Sequence, residues 1–377
     1  MSEKRIFLSP PHMEGHELEY VQQAFASNFI APCGPMLNRL EKQFCEYTEI
    51  PYCVGLTSGT AAMHLALKGL GIKEGDLVLA STLTFVASVS PAAHMGAKIT
   101  FIDADEKSWT MDPRLLQEEI DRCEQKGQLP KVVIPTDLYG QSCDLDAICE
   151  ICRPFDIPVV VDSAEGVGTK YKRRHAGHGA TAAVYSFNGN KIITSSGGGI
   201  LASHDQKLID YARFLATQAR ESFPYYEHKE IGYNYRLSNI CAAIGCAQLE
   251  VIDKRAQQKR AIFEYYKRHL EDLPGIEFMP EADYGKSNYW LSVILIDSLK
   301  CGTSYEKVRQ ALEKENIESR PMWKPMHLQP VFVDCDVVDN MVASKLFEQG
   351  LCLPSGTSMS KEDLQRVINI IKNNCEK

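Results

Sequence analysis

The chain has 377 residues, of which 44% are hydrophobic and 24% are charged. This composition excludes a disordered chain, because enough apolar side chain is present to offset the entropy lost on folding. At roughly 150 residues per domain, the length predicts two or three domains. The net charge of −8 argues against nucleic acid as a partner, since such binding depends on neutralising phosphates.

The same sequence predicts a cytoplasmic protein without a membrane anchor. Its apolar runs are far shorter than the roughly 18 residues that a membrane-spanning helix needs, and the opening MSEKRIFLSPPH lacks the apolar stretch of a signal peptide. Thirteen cysteines, odd in number and scattered, favour free thiols over a disulfide framework. Cys149 and Cys152 form a lone C-x-x-C without nearby histidines, so we expect no metal site.

Short apolar runs alternate with amphipathic segments through the first 250 residues. The runs predict strands at residues 53–56, 77–80, 99–102, 132–134, 159–161, 182–187 and 199–202. Several are apolar throughout, which is typical of strands buried on both faces of a mostly parallel sheet. Helices are predicted between them at residues 61–70, 113–124 and 145–153. This alternation predicts an α/β fold in which helices flank a mostly parallel central sheet.

The pattern changes after about residue 248. Residues 249–273 predict one long charged helix, which Pro274 and Gly275 end. A strand at 289–296, a helix at 305–315, a short strand at 317–319 and a closing helix at 361–373 follow. We therefore expect a large domain of residues 1–250 and a smaller α+β domain of residues 251–377.

Two polar features stand where predicted strands end, which is where open α/β sheets bind ligands. Ser58, Gly59 and Thr60 follow the first strand and begin a helix, so their N–H and hydroxyl groups are suited to holding an anion. Ordinary helix capping explains them equally well. Asp162 follows an apolar strand, where a buried carboxylate needs a partner such as a protonated ring nitrogen, unless it only caps the next segment.

Two further residues extend this pattern. Lys191 lies in a glycine-flanked loop after a buried strand, where partial burial would favour the free amine that Schiff-base chemistry needs; most lysines, however, lie on the surface. Phe85 follows the second strand and could stack on a flat ring, although a lone aromatic is more often part of the core. An anion site, a ring partner, a stacking ring and a reactive lysine together match the needs of pyridoxal phosphate.

Motifs in a fixed order give the chain a family resemblance over essentially its whole length. SGTAAMHLAL, TFVAS, DLYGQ, VVVDSAE, SFNGNKIITSSGGG and GYNYRLSNICAAIGCAQLE resemble the DegT/DnrJ/EryC1/StrS sugar aminotransferases. The resemblance implies the type I fold of pyridoxal phosphate-dependent aminotransferases and a homodimer with shared active sites. It implies that Lys191 carries the cofactor, that Asp162 pairs with the ring nitrogen and that Phe85 stacks on the ring. The implied phosphate contacts are Ser58, Gly59, Thr60, Ser186 and, toward the neighbouring subunit's cofactor, Asn234.

The chain departs from the family pattern at two positions. Glu165 stands beside the expected cofactor ring, where many relatives have glutamine, and it is expected to alter the hydrogen bonding of the ring hydroxyl. Asp137 stands where many relatives have histidine before Leu-Tyr-Gly. Neither change removes a residue that the chemistry requires.

Other segments, among them SNFIAP, TQARE and ESRPMWKPMH, are similar to the UDP-N-acetylbacillosamine-pathway branch of the family. This implies transfer of the amino group of L-glutamate to the 4-keto carbon of a UDP-2-acetamido-2,6-dideoxy-hexos-4-ulose. Arg320 and Lys324 are then expected to contact the diphosphate, and Trp323 the uracil or sugar, whereas a rigid surface turn is the simpler explanation of this segment. The implied substrate-binding residues are Asn28, Phe29, Ile30, Ala31, Arg320, Trp323, Lys324 and His327.

Three alternatives remain. A sugar 3-dehydratase of the same fold would carry histidine in place of the aldimine lysine, so the presence of Lys191 argues against that class. A family member acting on a dTDP-linked or 3-keto sugar fits the same motifs. A non-catalytic cofactor-binding regulator is the rival from another class, but such proteins usually carry a DNA-binding module, for which these 377 residues leave no room.

Overall fold

The computed structural model describes residues 4–375, and we number its elements in chain order. The helices of this part of the chain are α1 (Glu17–Ala26), α2 (Pro35–Thr48), α3 (Gly59–Gly69), α4 (Ser90–His94), α5 (Pro113–Gln125), α6 (Leu145–Cys152), α7 (Gln206–Ala216), α8 (Asn239–Glu250), α9 (Ile252–Leu270), α10 (Ser298–Cys301), α11 (Tyr305–Lys314), α12 (Val342–Gln349) and α13 (Lys361–Cys375). The strands are β1 (Tyr52–Leu56), β2 (Leu77–Ser81), β3 (Lys98–Ile102), β4 (Val132–Ile134), β5 (Val160–Asp162), β6 (Lys170–Tyr171), β7 (Arg174–His175), β8 (Ala182–Ser186), β9 (Gly199–Ser203), β10 (Ile276–Phe278), β11 (Gly285–Lys286), β12 (Ser292–Ile296), β13 (Arg320–Pro321), β14 (Asp336–Val338) and β15 (Gly350–Leu353).

Eight strands form one large sheet in the order β1-β9-β8-β5-β4-β2-β3-β14. Two four-stranded halves meet where Val133 bridges Val159 and Thr136 bridges Asp162, both in the parallel sense. Of these eight strands, β9 alone runs antiparallel to its neighbours. The predicted α/β class with a mostly parallel sheet is therefore confirmed.

Helices cover both faces of this sheet, which explains why several of its strands are largely apolar. Ile134 and Val160 point to the face on which α3 and α7 pack. Val133 and Val161 point to the opposite face and pack against α5 and α6. Because successive side chains of a strand alternate between faces, a strand covered on both sides favours apolar residues at successive positions.

A second sheet is built after α9. Its strands β10, β12, β15 and β13 are antiparallel, and α9, α11 and α13 pack against it around a separate apolar core. Ile6 from the start of the chain joins this core and bridges Ile317. The chain then returns to the large sheet, where β14 pairs with β3. The division into residues 1–250 and 251–377 stays a proposal. Two segments cross it: the one around Ile6 packs with the second sheet, and β14 pairs with the large sheet.

Two predicted elements differ from the structure. The long helix expected at 249–273 is two helices, because the chain turns at Val251, which has non-helical backbone angles. No proline or glycine marks this break in the sequence. The helices separate because α8 packs on α1 and α2, whereas α9 packs on the second sheet. The strand expected at 317–319 is displaced to Arg320–Pro321, and Ile317 makes only a single bridge.

Three further findings concern the cysteines, possible metal ligands and possible membrane-spanning helices. No disulfide bond joins the cysteines of residues 4–375. In residues 4–375 no cluster of three or more histidine, cysteine, aspartate or glutamate side chains is arranged to hold a metal ion. Over the same residues, no helix combines the length and the apolar character needed to cross a membrane.

Candidate active site

The start of α3 forms a turn beside the end of β8 whose N–H groups could bind an anion. Ser58 has an extended backbone, and its Oγ accepts a hydrogen bond from the N–H of Ala61 at 3.0 Å, so it is the helix N-cap. The N–H groups of Gly59 and Thr60 have no acceptor within the helix because they belong to its first turn. Ser186 lies opposite, since a Cβ on Gly59 would come within 3.4 Å of the Ser186 Cβ. Capping and anion binding are thus compatible here.

Strand β9 supports this turn from below through a glycine. A Cβ on Gly199 would lie 2.5 Å from the Gly59 nitrogen and 2.5 Å from the Ser58 carbonyl carbon. Real Cβ atoms do not approach backbone so closely, so any other residue would displace the turn. The run of three glycines at 197–199 in the sequence therefore reflects, at Gly199, the close approach of two backbones.

Asp162 ends β5 with its carboxylate fixed in direction. Its Oδ2 accepts from the Ser88 hydroxyl at 2.5 Å, and its Oδ1 accepts from the N–H of Ala164 at 3.0 Å. Ser88 is in turn hydrogen-bonded to the Thr84 hydroxyl at 2.6 Å. The sequence reasoning missed Ser88 and Thr84, although both lie in the segment around the predicted Phe85. A carboxylate held in this way is oriented to pair with a protonated ring nitrogen.

Lys191 is held in the interior rather than on the surface. Its side chain is 12% exposed, and its Nζ lies 3.0 Å from Oε1 of Glu165 and 4.3 Å from the centre of the Trp290 ring. The second oxygen of Glu165 accepts from the N–H of Tyr139 at 2.7 Å. Burial raises the pKa of Glu165 to about 7, although the neighbouring Lys191 ammonium acts in the opposite direction. Glu165 thus lies in hydrogen-bonding contact with the Lys191 amine inside the cavity wall.

Aromatic rings form the wall beside Lys191. Tyr139 packs against Trp323 with ring centres 4.8 Å apart, and its hydroxyl accepts from the backbone N–H of Trp323 at 3.0 Å. Phe85 is 54% exposed on the cavity wall, and its ring centre lies 5.9 Å from that of Trp323, so its side chain is open to contact with a flat ligand. Trp290 and Tyr139 were not among the predicted site residues, although Tyr139 lies in the DLYGQ motif and Trp290 lies close before the strand β12.

The second departure from the family pattern, Asp137, is fully buried. The Ser163 hydroxyl donates to its Oδ2, and the N–H of Cys143 donates to its Oδ1 at 2.9 Å. Burial raises the pKa of Asp137 to about 6. With hydrogen bonds to both oxygens, this carboxyl group ties the loop after β4 to the loop after β5, at the wall of the cavity.

A cavity of about 870 Å³ brings most of the predicted residues together. The predicted residues on its wall are Ser58, Gly59, Thr60, Phe85, Asp162, Glu165, Ser186, Lys191, Arg320 and Trp323. The predicted residues that do not line it are Asn28, Phe29, Ile30, Ala31, Asn234, Lys324 and His327. The roles of this second group stay predictions.

The residues outside the cavity wall lie in three places. Asn28, Phe29 and Ile30 are exposed between α1 and α2, and the carbonyl of the half-buried Ala31 accepts from Asn239. Asn234 is exposed and bridges Thr217. Lys324 is half-buried, and His327 turns toward the Thr82 hydroxyl at 2.6 Å.

The cavity wall fits pyridoxal phosphate. It offers backbone N–H groups and hydroxyls for a phosphate, a fixed carboxylate for a ring nitrogen, an exposed aromatic face for the ring and a lysine amine for covalent attachment. These groups come from loops that follow four different strands of one sheet, as expected for an open α/β fold. Fold and cavity together define a pyridoxal phosphate-dependent aminotransferase of the type I fold.

The chain belongs to the DegT/DnrJ/EryC1/StrS aminotransferase family, which it matches over residues 11–372. It is 46% identical over 372 residues to EpsN of Bacillus subtilis (strain 168), which is named as a pyridoxal phosphate-dependent aminotransferase; the match covers 98% of this chain and 95% of that protein. It is 34% identical over 361 residues to GDP-perosamine synthase of Escherichia coli O157:H7, covering 96% of each.

A solved structure agrees with the fold. The crystal structure of a DegT DnrJ EryC1 StrS aminotransferase from Brucella abortus superimposes with a TM-score of 0.88 at 25% identity, covering 96% of each chain. The predicted family, fold and cofactor are thus confirmed, and the protein is a pyridoxal phosphate-dependent sugar aminotransferase.

Replacing Glu165 with glutamine is expected to change the pH dependence of stability of the cofactor-free protein. The pKa of Glu165 is about 7 in the folded state against 4.5 for an ordinary glutamate. Between these pH values the folded protein binds more protons than the unfolded chain, so the contribution of Glu165 to stability is present below about pH 4.5 and is lost as the pH rises through 7.

The comparison is made by urea denaturation of wild type and Glu165→Gln at pH 5 and pH 8. Because glutamine does not titrate, the free energy of unfolding of wild type, relative to the variant, should fall by about 1–3 kcal/mol between the two pH values. A difference that stays the same at both would contradict the raised pKa.

Proposed function

We propose that the enzyme transfers the amino group of L-glutamate to the 4-keto position of a UDP-2-acetamido-2,6-dideoxy-hexos-4-ulose. The product would be UDP-4-amino-4,6-dideoxy-N-acetylglucosamine. The family membership and the similarity of this chain's segments to one branch of the family support the choice of sugar. The observation that supports a nucleotide-linked substrate is that both Arg320 and Trp323 line the cavity that contains Lys191.

Arg320 is suited to a diphosphate. Its guanidinium group is 67% exposed, and its Nε and one terminal nitrogen both donate to the same oxygen of Glu318, at 3.1 and 2.9 Å. A guanidinium group has five donors, so others remain for phosphate oxygens. Trp323 offers a flat surface to a base or a sugar ring.

The chain's own groups supply orientation and proton transfer. Pyridoxal phosphate, when bound, supplies the electron sink for the carbanion of the substrate. Ser58, Gly59 and Thr60 hold its phosphate, and Asp162 keeps a proton on its ring nitrogen. Lys191 moves a proton as general acid and base, and Glu165 orients the Lys191 amine through a 3.0 Å contact.

We propose that the active form is a homodimer in which Asn234 serves the neighbouring subunit's cofactor site. Asn234 is exposed and lies outside its own cavity, so it is free to reach another subunit. Large apolar side chains are exposed in the segment before it and between α1 and α2: Phe29, Ile30, Phe223, Tyr225, Tyr226 and Ile231. Exposed apolar side chains at this density favour a protein partner.

A GDP-linked keto-sugar is the second candidate, because the 34% identical relative is a GDP-perosamine synthase. A dTDP-linked or 3-keto sugar stays open as well. These candidate substrates would differ in the contacts of their base and sugar. The proton transfer at Lys191 would be the same for all of them.

The experiment is a steady-state assay with L-glutamate and a panel of UDP-, GDP- and dTDP-linked 4-keto sugars, with product identification by NMR. We expect kcat/KM for UDP-2-acetamido-4-keto-2,6-dideoxyglucose to exceed the others by at least about tenfold, the effect of roughly 1.4 kcal/mol in transition-state binding. A preference for the GDP-linked sugar would overturn the UDP assignment. A protein whose absorbance does not change on addition of glutamate would overturn the reaction itself.

A further inference from the structure

A second lysine is buried behind the cavity. Lys259 on α9 is 2% exposed, and its Nζ lies 3.0 Å from the Ser9 Oγ and 2.9 Å from the Trp290 carbonyl oxygen. Both acceptors are uncharged, and burial lowers the pKa of Lys259 to about 7. Burying an amine against neutral acceptors costs stability, so packing alone would favour an apolar side chain at this position.

The two partners of Lys259 meet again at one atom. The carbonyl oxygen of Asn190 accepts from the Ser9 hydroxyl at 2.9 Å and from the indole N–H of Trp290 at 2.7 Å. Asn190 immediately precedes Lys191, so this carbonyl belongs to the peptide group that joins the two residues. Lys259 is therefore two hydrogen bonds away from the main chain of Lys191.

The same network also reaches the amine of Lys191. Lys259 donates to the backbone carbonyl of Trp290, and the ring of the same residue has its centre 4.3 Å from Lys191 Nζ. One turn earlier on α9, Arg255 donates to the His12 carbonyl at 3.1 Å. Helix α9 thus fixes both the start of the chain, which lines the cavity at Ser9, and the tryptophan against which the amine rests.

We propose that Lys259 is a positioning residue that holds Lys191 against Glu165. It acts through Ser9 and Trp290, which fix the peptide group before Lys191 and the ring beneath its amine. The proposal rests on the role of Lys191 in the proposed function, although its main test needs neither substrate nor cofactor. Without the Lys259 amine, the loop of Lys191 loses its common anchor and the Lys191 amine becomes more accessible.

The test compares Lys259→Met, which keeps the length of the side chain without the amine, with Lys267→Met on an exposed turn of α9. In the cofactor-free protein, acetylation of Lys191 by acetic anhydride is followed by peptide mass spectrometry. We expect Lys259→Met to speed acetylation at least about threefold and Lys267→Met to leave it unchanged. In the holoenzyme, kcat should fall about tenfold with the KM of the sugar unchanged, since misplacement of a reacting group lowers the rate without altering distant binding contacts.

A lowered Tm with unchanged Lys191 acetylation and unchanged kcat would show a purely structural role and overturn the proposal. If Lys259→Met does not fold, Ser9→Ala removes the same link from the other side and should also speed the acetylation of Lys191. Failure of the sugar panel alone leaves the acetylation result standing, so the two proposals fail separately.

Discussion

Replacing Lys191 with alanine is expected to abolish amino transfer, with kcat falling by at least about 10⁴-fold. Loss of a positioned general acid and base alone costs about 10²–10⁴ in rate, and the nucleophilic amine is lost as well. The substitution also leaves Glu165 buried without its ammonium partner, 3.0 Å away in wild type. With that partner gone, the pKa of Glu165 should rise further, and the neutral carboxyl allows the protein to stay folded.

The measurement is single-turnover formation of the amino sugar, with Tm as the check on folding. Lys73→Ala is the matched control, since Lys73 is exposed and remote from the cavity lining. Retention of more than about one percent of wild-type kcat in folded Lys191→Ala, far above the residual rate expected without acid-base catalysis, would remove Lys191 from the catalytic role.

Replacing Asp162 with asparagine is expected to lower kcat by about 10²–10³, the usual effect of removing one preorganised electrostatic partner. Asparagine has nearly the shape of aspartate, and its side-chain oxygen can accept from Ser88 or from Ala164, so the fold should remain. What is lost is the negative charge that is proposed to keep a proton on the cofactor's ring nitrogen. The rate of the half-reaction with glutamate, followed by absorbance in a stopped-flow instrument, reports this loss directly.

Two further variants separate charge from orientation. Ser88→Ala keeps the carboxylate but removes the 2.5 Å hydrogen bond to Oδ2, so its effect on kcat should be smaller, about tenfold. Asp283→Asn, at an exposed position, should leave kcat unchanged. If Asp162→Asn, like Asp283→Asn, left kcat unchanged, the charge at Asp162 would be unimportant for the reaction.

The parts of the site that the sequence predicts are local. Ser58 to Thr60, Asp162 and Lys191 each follow a strand that its apolar run makes visible, so their position at the sheet edge can be inferred without coordinates. Family resemblance adds their roles. The parallel sheet itself is predictable for the same reason, because strands covered on both faces read as continuous apolar runs.

The residues that escaped prediction depend on distant contacts. Trp290 meets Asn190 across 100 positions of the chain, and Lys259 meets Ser9 across 250. Nothing in the local sequence distinguishes Lys259 from the exposed lysines of the same charged helix. The break at Val251 has the same origin, since it is set by what α8 and α9 pack against rather than by a helix-breaking residue.

The return of the chain to the large sheet through β14 has a consequence for any attempt to divide the protein. β14 covers the outer edge of β3, and the N–H of Met326 donates to the carbonyl of Thr82 at 2.7 Å. A fragment ending at residue 250 would leave β3 as a bare edge strand with unpaired N–H and carbonyl groups, the kind of edge that recruits other chains. Expressed halves should therefore aggregate, whereas the intact chain should melt in one cooperative transition.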